Sequence, residues 1–190
     1  MIATPNFPPR MTAEEYHLWE AQQEYRYEYV DGQLFNRTGS TLVHNDITLN
    51  LFQNLHPYVK KNGWRINILT AKIEGKANQR YFYPDLVISC HPEDLSATKW
   101  IQYPQVIFEV LSPSTSNYDR KNKLKYYRQI PSLQEYILIE SDQISVELFQ
   151  KQTCDMWGYR DFEEQDTLII PSIEFECPVA DIYENVIIEP

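Results

Sequence analysis

A chain of 190 residues that is 43% hydrophobic and 14% aromatic is long enough to bury a core and too apolar to stay disordered, so one domain over residues 1–190 is expected. It contains no run of about 18 apolar residues, which excludes a membrane-spanning helix, and the opening MIATPNFPPRM has no apolar core of a secretory signal, so the expected location is the cytoplasm. A net charge of −10 argues against indiscriminate binding to nucleic acid.

The charge is unevenly placed. Twelve of the seventeen Lys and Arg lie between residues 60 and 128, against six acids there, whereas residues 129–190 carry two bases and fourteen acids. Such blocks are either solvated faces or, in an acidic protein, a local basic surface that suits one particular anion. The three cysteines (Cys90, Cys154, Cys177) are odd in number and form no CxxC pair, so they are expected to be small buried hydrophobes.

In chain order, Thr12 followed by Glu15 is a capping box that opens a short helix to about Gln22. Tyr25 to Val30 reads as a strand, Asp31-Gly32 as a hairpin turn and Gln33 to Arg37 as the return strand. From Ser40 to Asn62 the apolar residues Leu42, Ile47, Leu51, Leu55 and Tyr58 recur at helical spacing, with Gly63 as a stop and Pro57 expected to kink or shorten the last turn. Short strands follow at Arg65 to Thr70, Lys72 to Glu74, Tyr81 to Phe82 and Asp85 to Ser89, then a polar loop from His91 to Trp100 with room for one helical turn. QVIFEVL (Gln105 to Leu111) is nearly continuous apolar, as a strand buried on both faces should be. Ser112-Pro113 ends it. A lysine-rich helix is expected from about Ser116 to Ile130, then a buried strand at Tyr136 to Ile139, a strand at Ser145 to Phe149, and an acidic remainder of short antiparallel strands closing in a brief helix near Val179 to Glu184. The fold class is α/β, a mixed sheet flanked by helices, with its core over about residues 12–150.

One acid interrupts the apolar strand. Burying the carboxylate of Glu109 costs several kcal/mol unless it is paired or holds a cation. Asp85 opens a second apolar strand after Pro84, and two carboxylates at neighbouring strand ends make a hard oxygen site suited to Mg²⁺ or Mn²⁺. On the following helix, at about 100° per residue, Leu124, Tyr127 and Ile130 mark the inward face and Lys123 lies near its centre, while Lys121 and Lys125 lie opposite. An inward lysine could orient a water or stabilise charge on a phosphate; equally, it could pack its stem and send its ammonium to water. No P-loop, GxGxxG, GxSxG or HExxH motif is present.

Pro84-Asp85, FEVLSPST (Phe108 to Thr115), Asp119, Lys123, Tyr127 and EYILIES (Glu135 to Ser141), with YEYVDGQL (Tyr27 to Leu34) and His44 upstream, resemble the Uma2 family of the PD-(D/E)XK nuclease superfamily over nearly the whole chain. The resemblance implies a restriction-endonuclease-like fold and a Mg²⁺-dependent site in which Asp85 and Glu109 hold the metal with the backbone carbonyl of Val110. The chain departs from the superfamily pattern at Leu111, where a lysine is expected; the resemblance implies that Lys123 has taken over from the helix. It places Glu28 near the metal, although strand period alone leaves Glu28 equally a surface charge of the hairpin. His44 is open between a core histidine and a proton shuttle or phosphate contact. The expected activity is hydrolysis of phosphodiesters in nucleic acid, DNA before RNA, by a homodimer. The alternatives are a non-catalytic binding module on the same fold and a hydrolase of small phosphoesters.

Overall fold

A computed structural model describes residues 10–37, 41–76, 79–112, 116–153 and 156–188. Its centre is a six-stranded sheet in the order β10-β9-β8-β7-β6-β3, built from β3 (Arg65–Ile68), β6 (Leu86–Ser89), β7 (Val106–Val110), β8 (Glu135–Ile139), β9 (Val146–Lys151) and β10 (Trp157–Phe162). β7 pairs with β8 in parallel and every other pairing in this sheet is antiparallel, so the sheet is mixed. The two parallel strands lie in the middle and all their residues are buried, the physical reason that VIFEV and EYILI read as near-continuous apolar runs.

Alternation along β7 assigns its two faces. Val106, Phe108 and Val110 join the cluster under helix α2 (Leu42–Lys61), which contributes Ile47, Leu51, Leu55 and Val59. Ile107 and Leu111 join the opposite cluster with Tyr127, Ile130, Leu133 and Tyr136. Glu109 has the parity of Ile107 and Leu111, so it faces the crossover helix and not α2. That crossover is required, because parallel neighbours cannot be joined by a hairpin.

The crossover helix departs from a plain α-helix. A turn of α4 (Ser116–Tyr118) widens into a π-helical stretch (Asp119–Lys123) and tightens again into α5 (Leu124–Tyr127). Leu124 is half-buried, Tyr127 and Ile130 are buried, and Lys121 and Lys125 are exposed, so the inward face is the expected one. π-helical turns are rare and concentrate at functional sites. Part of the expected Ser/Pro turn, residues 113–115, lies outside the described residues.

A second sheet, β2-β1-β5-β4, is wholly antiparallel and comprises β1 (Tyr27–Val30), β2 (Gln33–Asn36), β4 (Ile73–Lys76) and β5 (Arg80–Phe82). The hairpin turn takes positive φ at both Asp31 (49°) and Gly32 (94°), the conformation for which Asp-Gly is selected. Helix α1 (Ala13–Glu20) starts at the capping box of Thr12 and Glu15 and packs Tyr16 against Tyr27, Tyr29 and Tyr81. The tyrosines here are core, with the Tyr16 hydroxyl donating to the Tyr27 carbonyl at 2.7 Å.

Three details differ from expectation. Helix α2 continues through Pro57 to Lys61, so the proline does not end it. Cys177 is buried but Cys90 only half-buried, and Cys154 lies outside the described residues. The main core also extends beyond residue 150: β11 (Thr167–Ile170), β12 (Phe175–Pro178) and α6 (Val179–Ile182) bring Leu168, Ile170, Val179 and Ile182 into the cluster under α2. The short helix α3 (Pro92–Leu95) supplies the one turn anticipated in the polar loop.

Candidate active site

Strand register brings the two acids together. Leu86 of β6 pairs with Phe108 of β7 in antiparallel fashion, so Asp85, one residue before Leu86, and Glu109, one residue after Phe108, lie beside each other at neighbouring strand ends. The link is closed by a hydrogen bond from the Val110 backbone N–H to Asp85 Oδ2 at 2.8 Å. Asp85 is 2% exposed and Glu109 3%.

Asp85 is held by three groups. His44, in the first turn of α2, donates from Nε2 to Oδ2 at 3.0 Å, which requires the proton on that nitrogen because an ionised carboxylate only accepts. Arg37, just beyond β2, binds Oδ1 through Nη2 while its Nη1 donates to the carbonyls of Leu69 (2.8 Å) and Tyr83. Burial alone would raise the Asp85 pKa; the hydrogen bond from His44, the charge of Arg37 and the Val110 amide outweigh it, and the carboxyl stays below its ordinary value.

Glu109 is held from the helix. Lys123 lies 3.0 Å from its Oε1, and the Tyr127 hydroxyl donates to the same oxygen at 2.8 Å. The ammonium of Lys123 also pairs with Glu28 Oε1 at 3.2 Å and with Asp119 Oδ1 at 3.1 Å, the latter one π-turn back on its own helix. Burial pushes the Glu109 carboxyl up to about 8, with Lys123 opposing and the charges of Asp85, Asp119 and Glu28 reinforcing the rise. For Lys123 burial acts downward, yet the Glu109, Glu28 and Asp119 carboxylates win and hold it well above its ordinary value, so it stays charged. It does not send its ammonium to water: Lys123 is 7% exposed.

Glu28 is buried, which resolves the face that strand period left open: Tyr27 and Tyr29 pack in the tyrosine cluster, and Glu28 points the other way, toward Lys123. All five candidate residues, Glu28, His44, Asp85, Glu109 and Lys123, therefore meet in one buried polar cluster. Three further members had no role in the sequence reading. Arg37 offered no signal beyond being one of only three bases in the first 59 residues, and Asp119 and Tyr127 entered only as positions of the resemblance, Tyr127 also as part of the helix's inward face.

Four buried carboxyl groups (Glu28, Asp85, Glu109, Asp119) face two permanent cations, Arg37 and Lys123, so one negative charge is uncompensated while Glu109 keeps its proton and two once it ionises, before any charge on His44. Two buried side-chain polar atoms that lack a hydrogen-bond partner among the described residues, His44 Nδ1 and Tyr118 OH, also belong to this region. Both features fit a divalent cation. No three His, Cys, Asp or Glu side chains form a ready cage among the described residues. Mg²⁺ binding through one or two carboxylates would not need such a cage. Asp85 and Glu109 are the residues that would hold it.

Residues 13–180 match the Uma2 family model, described as "Putative restriction endonuclease". The chain is 34% identical to "Uncharacterized protein slr1290" of Synechocystis sp. PCC 6803, over 97% of this chain and 98% of that one. It is 32% identical to "Uncharacterized protein sll1609" of the same organism, over 77% and 84% respectively. Its fold is that of a crystal structure from Anabaena variabilis described as "a putative nuclease belonging to DUF820", with a TM-score of 0.74 at 18% identity, covering 93% of this chain and 99% of that one. By its matched length, its relatives and its mixed α/β fold of the restriction-endonuclease type, the chain belongs to the Uma2 family.

Proposed function

We propose that this protein is a divalent-metal-dependent endonuclease that hydrolyses phosphodiester bonds in nucleic acid, with DNA as the expected substrate. The observation that carries the proposal is the convergence of Asp85, Glu109 and Lys123, which come from two adjacent strand ends and the crossover helix.

Asp85 and Glu109 would hold Mg²⁺ or Mn²⁺, which would supply Lewis acidity toward a phosphoryl oxygen and make an attacking water more acidic. The chain's own residues supply the rest. His44, Arg37 and the Val110 amide fix the orientation of Asp85; Tyr127 and Lys123 fix that of Glu109. Lys123 carries the positive charge that favours a phosphate accumulating negative charge, in surroundings where low polarity makes each interaction stronger. Glu28 and Asp119 keep that ammonium in place.

The test is cleavage of supercoiled plasmid and of single-stranded DNA and RNA with Mg²⁺, Mn²⁺ or EDTA, wild type against Glu109→Ala. Metal-dependent cleavage lost in the variant supports the proposal. Binding of nucleic acid without cleavage in any metal overturns it in favour of a binding module, and faster turnover of small phosphoesters than of polynucleotides overturns the choice of substrate. The proposal includes a homodimer in the cytoplasm; light scattering on a sizing column checks the dimer.

A further inference from the structure

The strand β3 is one of the two edge strands of the central sheet, and a groove of about 200 Å³ runs beside it. Among the described residues its lining carries three cations, Arg65, Lys72 and Lys99, and no carboxylate, in a chain with 27 acids and 17 bases. Arg65 is rigid: its Nε donates to Asn67 Oδ1 at 2.8 Å, and its Nη1 to the carbonyls of Asp94 (2.7 Å) and Ala97 (2.6 Å). A guanidinium fixed in this way presents its remaining N–H groups at no further ordering cost. Lys99 is exposed, with its ammonium 5.8 Å from the centre of the Trp100 ring. Trp100 is itself clamped, stacked on His17 at 5.0 Å and edge-on to Tyr81. Lys72 is already paired with Glu20 and forms part of the wall.

The groove is tied to Asp85 through the backbone. Leu69 sits between them, donating its N–H to the Asp85 carbonyl at 2.8 Å and accepting from Arg37 at 2.8 Å, and the next residue, Thr70, lines the groove. Leu69 holds φ at 56°, a left-handed conformation costly for a branched side chain and concentrated at sites where surrounding structure clamps a ligand.

We propose that the groove binds the nucleic-acid strand flanking the scissile phosphate, with Arg65 and Lys99 meeting its phosphates and Trp100 forming a flat wall for a base or sugar. The proposal rests on the phosphodiesterase reading of the adjoining site, and its chemistry is independent of base sequence.

The test is fluorescence anisotropy of fluorescein-labelled single- and double-stranded oligonucleotides in EDTA, which prevents cleavage, for wild type, Lys99→Glu and the control Lys125→Glu. Lys99 and Lys125 are both exposed, so both variants should fold. Lys99→Glu is expected to weaken binding roughly ten-fold or more and to lower the slope of log K against log salt by about 1, while Lys125→Glu stays within about two-fold. Equal losses in both variants, no loss in Lys99→Glu, or competition by inorganic phosphate at the same concentration as oligonucleotide overturns the proposal and leaves the nuclease reading untouched. Loss confined to Lys99→Glu in a protein that cleaves no phosphodiester with any metal supports the groove and sinks the nuclease reading instead.

Discussion

The ammonium of Lys123 stands 3.0 Å from Oε1 of Glu109, although the two residues are 14 apart and belong to different elements. Neither group is tolerable in the core alone. The pair joins the parallel centre of the sheet to the crossover helix, and it gathers Glu28 and Asp119 around the same ammonium.

Lys123→Met should therefore destabilise the protein by about 3–5 kcal/mol, since it leaves buried acids without their cation. Glu109→Gln added to it should recover a sizeable part of the loss, because the pair is then removed as a unit. Urea unfolding of the two single variants and the double variant measures the coupling. A strictly additive double variant would show that the contact contributes nothing.

The pH dependence of stability follows from the signs of the two carboxyl shifts. Glu109 is raised from 4.5 to about 8, so between those values the metal-free folded protein keeps a proton that the unfolded chain has released. Stability should fall as pH rises through that window and level off above it, with a slope of at most about 1.4 kcal/mol per pH unit from this group. Asp85 is lowered from 3.8, so its contribution is present above that value and is lost as the solution is acidified further. Urea midpoints in EDTA from about pH 5 to about pH 8 should slope downward for wild type and lie flatter for Glu109→Gln.

Arg37 should be needed as a fork and not merely as a charge. Its guanidinium serves Asp85 and two backbone carbonyls together, a geometry a lysine cannot reproduce. Arg37→Lys should lose stability by about 1–3 kcal/mol, and Arg37→Met by more, with the acid limb of any pH–activity profile moving upward as Asp85 loses its counter-charge. Thermal unfolding and the profile together check this; a silent Arg37→Met variant would mean that His44 and the Val110 amide suffice.

Divalent cations should stabilise the folded protein. At a concentration about a hundred-fold above Kd, binding contributes about 2.7 kcal/mol, visible as a rise in Tm with Mg²⁺ or Mn²⁺. Asp85→Asn should abolish that rise while preserving side-chain shape. An unchanged Tm in wild type across millimolar metal would remove Asp85 and Glu109 as ligands.

Much of this protein was legible before folding was considered. The two apolar runs around Glu109 and Glu135 had to be buried strands, the Leu51–Leu55 stripe had to be helical, and a carboxylate inside VIFEV demanded a partner, because hydrophobic period and the cost of burying charge are local properties. The inward direction of Lys123 followed from the same arithmetic. What only tertiary structure decided is which groups meet: the face taken by Glu28, the seating of His44 on Asp85 from 41 residues away, the fork of Arg37 from 48 residues away, and the π-turn that presents Asp119 and Lys123 together. Those contacts depend on the register between strands and on how two sheets and a helix pack, and period within one element carries no information about the register of another.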